Sequence, residues 1–347
     1  MDVSFSSSLD GVNTADWWRL AERAGHVFAT PEWLLTWWRH FGKSRRQLVG
    51  VVRAGGDAVA IVPLYEWWRQ GVPVLRFIGH GPSDQLGPVG APLSEPEAAT
   101  AFSEAFDAVP LRRFLLLAEH VAGDQRFGKL TGARFLYREA SPVLRLEQDS
   151  WDEFLRQRGR NFRQQVRRFP RKLSELGRVT YRLASDPERL EQDLDMLFEL
   201  HGRRWNGAAS AFLDAAAFHR EFAIRALERG WLRLWFLELD GRPVAALHGF
   251  RIAGAESAYQ AGRDPAFRQQ PLGFVLLAHA VREAMADGMS EYRLLRGGAA
   301  YKERFATGDP GLETFGLPRG ASAELLLGAA TAARGRSLGL RRILDRL

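Results

Sequence analysis

The sequence predicts an α/β protein of the α+β type, with two similar units in tandem, each a mixed, mostly antiparallel sheet flanked by helices. Three observations predict it. Asp240-Gly241 sits between two runs of strand character in "WLRLWFLELDGRPVAALHGFRI", and Asp-Gly favours a two-residue hairpin. "RAGGDA" joins the runs Gln47–Arg53 and Ala58–Tyr65 in the same way. The order of strands and helices before residue 148 also returns, in tighter form, after it, without any repeat of sequence.

The first part opens with helical pattern over Ala15–Ala24 and Pro31–Phe41. Thr30 is placed to cap the second helix, with proline at its first position. After the hairpin comes a strand at Val74–Ile78. The loop Gly79–Pro92 follows, dense in Gly and Pro. A helix is expected over Glu95–Ala108, then strands at Arg113–Ala118 and Ser141–Glu147.

The second part starts with "DSWDEFLRQRGRNFRQQVRRF", helical with an Asp149 or Ser150 cap. Pro170 is expected to kink or restart this helix, and Gly177 to end it. Arg178–Ala184 alternates as a strand does. Leu190, Leu194, Leu197, Phe198 and His201 then recur at helical spacing, after Ser185 or Asp186 as cap. A helix over Asp214–Glu228 leads into the meander, whose third strand is Ala255–Ala261. "RDPAFRQQPLGFVLLAHAVREAMADG" carries a basic, amide-rich turn into an apolar helix. "EYRLLRGG", "AAYKERFAT" and "GLETFGLP" read as strand, short helix and strand. The expected division is 1–148, 149–318 and a basic helical tail, 319–347.

Composition narrows the function. The 347 residues are enough for two domains. The 11 Trp include pairs at helical spacing near the N-terminus, a pattern of core packing. Cysteine is absent, which removes disulfides and thiolate chemistry. The eight histidines are scattered, with no ligand spacing, so no metal is expected. "MDVSFSSSLDG" lacks the marks of a signal peptide, and no apolar run reaches the roughly 20 residues of a membrane span. A soluble, cytoplasmic chain is the expectation. Net charge is +7, and Arg156–Lys172 holds eight basic residues and no acidic one. Such a run is either a solvated helix face or an anion-binding surface.

The order of elements around Arg268-Gln269-Gln270-Pro271-Leu272-Gly273 resembles the GCN5-related N-acetyltransferase (GNAT) superfamily. That family's pyrophosphate loop runs Gln/Arg-x-x-Gly-x-Gly/Ala into a helix. Arg268 matches its first position and Gly273 its last, while Pro271 replaces the middle glycine and removes one N–H donor. "LHGRRW", the meander and "RGGAAYKERF" look like the acetyltransferase domain of CelD- and BioF2-like bacterial proteins, related to the FemAB peptidyltransferases. "FATPEWLLTWWRHFG" and "LRFIGHGPSDQLGP" look like that group's N-terminal part, so the resemblance spans about Trp17 to Leu317. That group often has Asp where this chain has Leu294.

The resemblance implies acetyl-CoA or another acyl-CoA as co-substrate, bound by Arg268, Gln269, Gln270, Leu272 and Gly273. A helix start supports this physically, because its unpaired N–H groups and dipole favour an anion. The implied activity is transfer of an acyl group to an amine of a small or sugar-type acceptor, in polysaccharide or envelope assembly. His248, beside Gly249 on a strand, is either a catalytic base or a core histidine. Tyr301 is a candidate acid, and Lys302 a holder of an acceptor's phosphate or carboxylate; both also suit a surface turn. His201, Arg204 and Trp205 end a helix near the expected site, where Trp205 either stacks on a sugar or anchors the core. Asp84, in the Gly/Pro loop, is a substrate candidate or simple turn chemistry. Two alternatives stand beside this: a FemAB-like enzyme using aminoacyl-tRNA gripped by Arg156–Lys172, and a non-catalytic binding protein. The chain has no segment resembling the FemAB coiled-coil arm, so nucleic acid is not the expected partner.

Overall fold

The computed structural model describes residues 1–90, 96–123, 126–148, 150–204 and 210–332. The chain forms two compact units, one of Met1–Ala140 with the segment from Pro310 onward, the other of Ser141–Asp309.

The first unit contains β1 (Asp2–Ser6), α1 (Thr14–Ala24), α2 (Pro31–Phe41), β2 (Arg46–Ala54), β3 (Asp57–Arg69), β4 (Val72–Phe77), β5 (Val89–Gly90), α3 (Pro96–Asp107), β6 (Phe114–Ala122), α4 (Phe127–Thr131) and β7 (Arg134–Glu139). The second contains β8 (Val143–Arg145), α5 (Trp151–Arg156), α6 (Arg160–Ser174), β9 (Val179–Leu183), α7 (Leu190–Arg204), α8 (Ala211–Asp214), α9 (Ala216–Glu228), β10 (Leu232–Leu239), β11 (Arg242–Ile252), β12 (Ala255–Arg263), α10 (Leu272–Ala286), β13 (Glu291–Arg293) and α11 (Ala300–Glu303). The chain then returns to the first unit with β14 (Leu312–Arg319) and α12 (Ala321–Ala332).

The first sheet has the order β1-β2-β3-β4-β6-β14-β7, with β5 on β3; the second is β8-β13-β12-β11-β10-β9. Each is antiparallel apart from one parallel pair, β4 with β6 and β12 with β13. The expected fold class is therefore the one observed. Two strands lie in the sheet opposite to the one a division at 148 and 318 assigns. The run expected to end the first part, Ser141–Glu147, gives β8, which pairs with β13. "GLETFGLP" gives β14, which lies between β6 and β7. Each parallel pair thus receives its next strand from chain that lies just past the other unit.

Local chemistry explains most boundaries. Thr30 accepts from Trp33 N at 3.2 Å, with Pro31 in the first turn, as expected. Ser150 caps α5, accepting from Glu153 N at 3.3 Å; Asp149 lies outside the described residues. Pro170 neither ends nor restarts a helix: α6 runs through it to Ser174. The break falls earlier, at Gln157–Gly159, where the α5 chain ends and Gly159 begins α6. The early tryptophans Trp17, Trp33 and Trp37 are core, each 2% exposed or less. β1 and β7 were not anticipated. Both are short and half-exposed, so they lack a strong apolar alternation. No helix among the described residues is long and apolar enough to cross a membrane.

Two glycines fix the geometry around β12. Partners run His248 with Gln260 and then Gly249 with Ala258, so Tyr259 is an extra residue, a β-bulge. A Cβ at Gly249 would lie 1.8 Å from the Ser257 carbonyl oxygen. At Gly262 a Cβ would lie 2.4 Å from His201 N, so α7 crosses β12 backbone to backbone. Gly249→Ala should therefore cost about 1–3 kcal/mol, the range for forced overpacking. Gly273→Ala, with open space around the new Cβ, should be neutral or stabilising. Denaturation midpoints check both, and a Gly249→Ala protein as stable as the parent would remove the bulge constraint.

Candidate functional site

β12 and β13 pair only over Ala255–Ser257 and Glu291–Arg293. Beyond that point β12 continues to Arg263 against β11, while the other chain holds to the β8 side, Leu294 N donating to Pro142 O at 2.9 Å. The two strands part into a wedge. A bulge raises local twist and bends its strand, and Tyr259 is the bulge residue.

A cavity of about 270 Å³ occupies this wedge. Ala258, Ala261 and Gly262 of β12 form one side and Leu294 another. The first turns of α10 close a third, through Pro271, Gly273 and Phe274. Polar groups enter from three places: Arg204 at the end of α7, Arg263 at the end of β12, and Tyr301 and Lys302 of α11. None of the lining residues is acidic.

Pro271 is the N-cap of α10 and offers no side-chain cap, so the following N–H groups have no side-chain acceptor. Gly273 is exposed, with nothing within 4 Å of a Cβ built there. Leu272 is fully buried, so only its backbone is available to a ligand. Arg268 and Gln269 are exposed on the turn before the helix and do not line the cavity; Gln270 is half-buried. The turn itself is anchored by Asp264, which sequence reasoning missed. Its Oδ1 accepts from Ala266 N at 2.9 Å, and its Oδ2 faces Arg242 at 3.0 Å and Arg203 at 3.6 Å. The signal was Asp264-Pro265, an Asx-type turn start. Arg263 was missed too, having no motif around it.

The helix-end residues divide. Arg204 lines the cavity, and its Nη1 donates to Ala261 O at 3.3 Å. Its guanidinium also hydrogen-bonds Tyr301. Burial raises the Tyr301 pKa, and Arg204 opposes that rise. His201 lies beneath, outside the lining: Nδ1 is 3.2 Å from Ala261 O and Nε2 3.0 Å from Ser210 Oγ. With Nδ1 donating to the carbonyl, Nε2 accepts from the hydroxyl, which suits a neutral ring; burial lowers its pKa. Trp205 lies outside the described residues. Lys302 Nζ donates to Leu295 O at 3.2 Å and Arg296 O at 2.7 Å, holding the turn that carries the chain away from β12. Asp84 is in the first unit, buried in its loop.

His248 is not brought to the cavity. It is 1% exposed and packs among Phe212, Phe250 and Tyr259. Neither ring nitrogen has a hydrogen-bond partner among the described residues, and burial lowers its pKa to about 3. Of the two readings of this histidine, the structure supports the core one. Strand alternation put it with Ala246, but the bulge and α8 give its ring an aromatic shell.

Residues 160–303 match the acetyltransferase (GNAT) domain family. No curated protein sequence matches the chain. Among solved structures, FemX is similar with a TM-score of 0.60 at 11% identity, over 91% of this chain and 97% of that one. The C-terminal domain of a putative lysylphosphatidylglycerol synthetase from Agrobacterium fabrum gives 0.57 at 10%, over 92% and 95%. L-PGS from Bacillus licheniformis gives 0.56 at 13%, over 93% and 96%. The fold is thus GNAT-like and similar to that of FemX, and residues 160–303 match the GNAT acetyltransferase domain model.

The buried His248 sets a pH dependence. Its folded pKa is below the unfolded value of about 6.5, so the unfolded state binds the proton more tightly. Stability is therefore full above pH 6.5 and falls as the pH drops toward 3, by roughly 1.4 kcal/mol per unit within that window. Denaturant unfolding at pH 7 and pH 5 should show this loss, and His248→Phe should reduce it by about 2 kcal/mol. An equal loss in the variant would show that His248 titrates normally.

Proposed function

We propose that this protein transfers an acyl group, acetyl in the simplest case, from acyl-CoA to an amine of a small or sugar-type acceptor. The observation that carries the reading is the wedge between β12 and β13, an apolar cavity bounded by an uncapped helix start and reached by Tyr301. In this reading the N-terminus of α10, with Arg268, holds the pyrophosphate, and the apolar walls take the arm and acyl group. The unpaired edge of β12 offers backbone N–H groups to a thioester carbonyl, where negative charge develops. The amine attacks that carbonyl, the new C–N bond forms and the C–S bond breaks; the thiolate takes a proton from the protein, and the proton lost by the amine nitrogen passes to solvent, from which the donor is reprotonated. Tyr301, held by Arg204, is the proton donor. Holding donor and amine side by side supplies much of the rate. A place in envelope or polysaccharide assembly fits the FemX-like fold.

Calorimetry with CoA and acetyl-CoA tests the reading. Arg268→Ala should weaken CoA binding by about 1.5–3 kcal/mol, as for a lost charged hydrogen bond, and Gly273→Val should block it. Tyr301→Phe should lower kcat by about 10²-fold or more and leave CoA affinity unchanged. Unaltered CoA binding in both loop variants would reduce the turn to a helix cap.

A second reading changes the donor to aminoacyl-tRNA, and α6 is the observation in its favour. Arg160, Arg167, Arg168, Arg171 and Lys172 are exposed on it and make no ion pair among the described residues. Arg163 is not part of that surface, because its Nη1 donates to Arg158 O at 2.7 Å and to Arg156 O at 3.2 Å. A tRNA gripped by about four of these cations would bind with a log–log salt slope of roughly −3 to −4. Changing Arg160, Arg167 and Arg171 to Gln would flatten the slope by about one unit per contact. The acyl-CoA reading expects no such tRNA binding and an unchanged CoA affinity in the triple variant.

A further inference from the structure

The charged residues lining the cavity, Arg204, Arg263 and Lys302, are all cations. Two partly buried arginines elsewhere in this unit, Arg182 and Arg251, face carboxylates. Arg182 pairs with Asp193 at 2.7 Å and Glu238 at 3.0 Å, and Arg251 with Glu256 at 2.6 Å and Asp287 at 2.7 Å. The cavity lining contains no carboxylate. Arg263 makes no ion pair among the described residues, although Asp264 is its neighbour in sequence. The Asp264 carboxylate is turned to Arg242 and Arg203 instead. Both arginines line the same cavity; burial lowers the Arg204 pKa, Tyr301 opposes that fall, and the charge of Arg263 adds to it. Two like charges are thus held together at one half-buried place, an arrangement that a bound anion relieves.

We propose that the amine acylated by this protein carries an acidic group, a carboxylate or a phosphate ester, and that Arg204 with Arg263 binds that acid at the cavity. The inference rests on the acyltransferase reading and names its acceptor class. The cofactor's own pyrophosphate is assigned to a different place, the start of α10 and Arg268. Arg204 comes from α7 and is hydrogen-bonded to Tyr301, so it lies on the side of the reacting centre. Lys302 adds charge there, while its ammonium group holds the Leu295–Arg296 turn. A simple ammonium ion meets three positive groups on entering and is repelled. An amine that also bears an acid is drawn in, and the same cations favour its neutral, nucleophilic form over the ammonium. Guanidinium groups suit either acid, since their paired N–H donors match both oxyanions.

The test follows thiol release from acetyl-CoA with three matched pairs of amines. These are 4-aminobutyrate with butylamine, alanine with alaninamide, and glucosamine 6-phosphate with glucosamine. The acid-bearing member of at least one pair should show a kcat/KM about tenfold or more above its neutral partner, as expected for a charged hydrogen bond. The two carboxylate pairs and the phosphate pair separate the two acids. Arg204→Gln should abolish the preference with CoA affinity held within about twofold, and Arg204→Lys, which keeps the charge, should retain most of it. If none of the six is acylated, 4-aminobutyrate and inorganic phosphate are titrated into the CoA-bound protein. Binding that is lost in Arg204→Gln supports the proposal, and no binding of either overturns it. Equal use of neutral and acidic amines overturns it, as does a preference that survives Arg204→Gln. So does an Arg204→Gln protein that loses CoA affinity with its acceptor preference intact, because Arg204 would then belong to the donor. Failure to bind CoA at all sinks the acyltransferase reading as well; CoA binding without acid preference sinks this inference alone.

Discussion

The parting of β12 from β13 is the constraint on which the second unit is organised. A parallel pair in the middle of a sheet normally satisfies its backbone groups along its whole length. Here only three residue pairs do so. The bulge at Tyr259, permitted because Gly249 leaves room for the Ser257 carbonyl, bends β12 away. Lys302 secures the other side by binding the carbonyls of the turn after β13. The close crossing of α7 at Gly262 then delivers Arg204 to the opening, and the short link from Arg263 delivers the start of α10. Each group that enters the cavity owes its position to this one divergence.

The first unit repeats the topology and resolves it differently. β4 pairs in parallel with β6 only over Val74–Arg76, and β6 then runs on alone on that side to Ala122. The chain fills this gap with its own loop. Leu86 N donates to His120 O at 3.0 Å, β5 pairs with β3, and Ser83, Asp84 and Leu86 are buried. Charge is settled internally as well. Arg76 lies 3.2 Å and His80 3.1 Å from the Glu119 carboxylate, whose pKa is held at about 2. Burial alone would raise that pKa, so the cations outweigh desolvation. An arginine at a parted parallel pair meets a carboxylate in one unit and a cavity without one in the other. That contrast gives Asp84 a structural setting and concentrates the open chemistry in Ser141–Asp309.

How much of this was legible in the sequence follows from what each feature depends on. The hairpin at Asp240-Gly241, the Thr30 and Ser150 caps and the apolar helix from Leu272 are local, and local rules found them. Gly273 was singled out by a family loop pattern and Tyr301 by its place after Gly297-Gly298, and both line the cavity. The strand exchange was not, because β8 and β14 have ordinary strand sequences and their partners are chosen by the whole fold. His248 misled for a related reason. Alternation along β11 says which residues share a face, but not that Phe212 from α8 and Tyr259 at a bulge will enclose one of them. Arg263 carries no motif, and Asp264 carries only the signal of a turn start; what matters about them is which carboxylate faces which guanidinium, and that is a tertiary fact.

The strand exchange has a consequence for how the chain reaches this state. Among the described residues β7 pairs only with β14, and β6 has β14 as its second neighbour. Residues 114–139 therefore wait for residues 312–319 before their edges are covered. Exposed edges of this kind pair readily with other chains, and long sequence separations slow folding because loop closure must precede the contact. The second unit has no such delay at its wedge, since β8 precedes β13 in the chain and both lie within Ser141–Asp309. The unit with the open cavity can complete its sheet from contiguous chain, whereas the unit with the filled gap is completed last. Placing the self-satisfied network of Arg76, His80 and Glu119 in the late-closing sheet has a physical logic. Those groups find their partners within β4, β6 and the loop between them, and so need nothing from β14 to be paired.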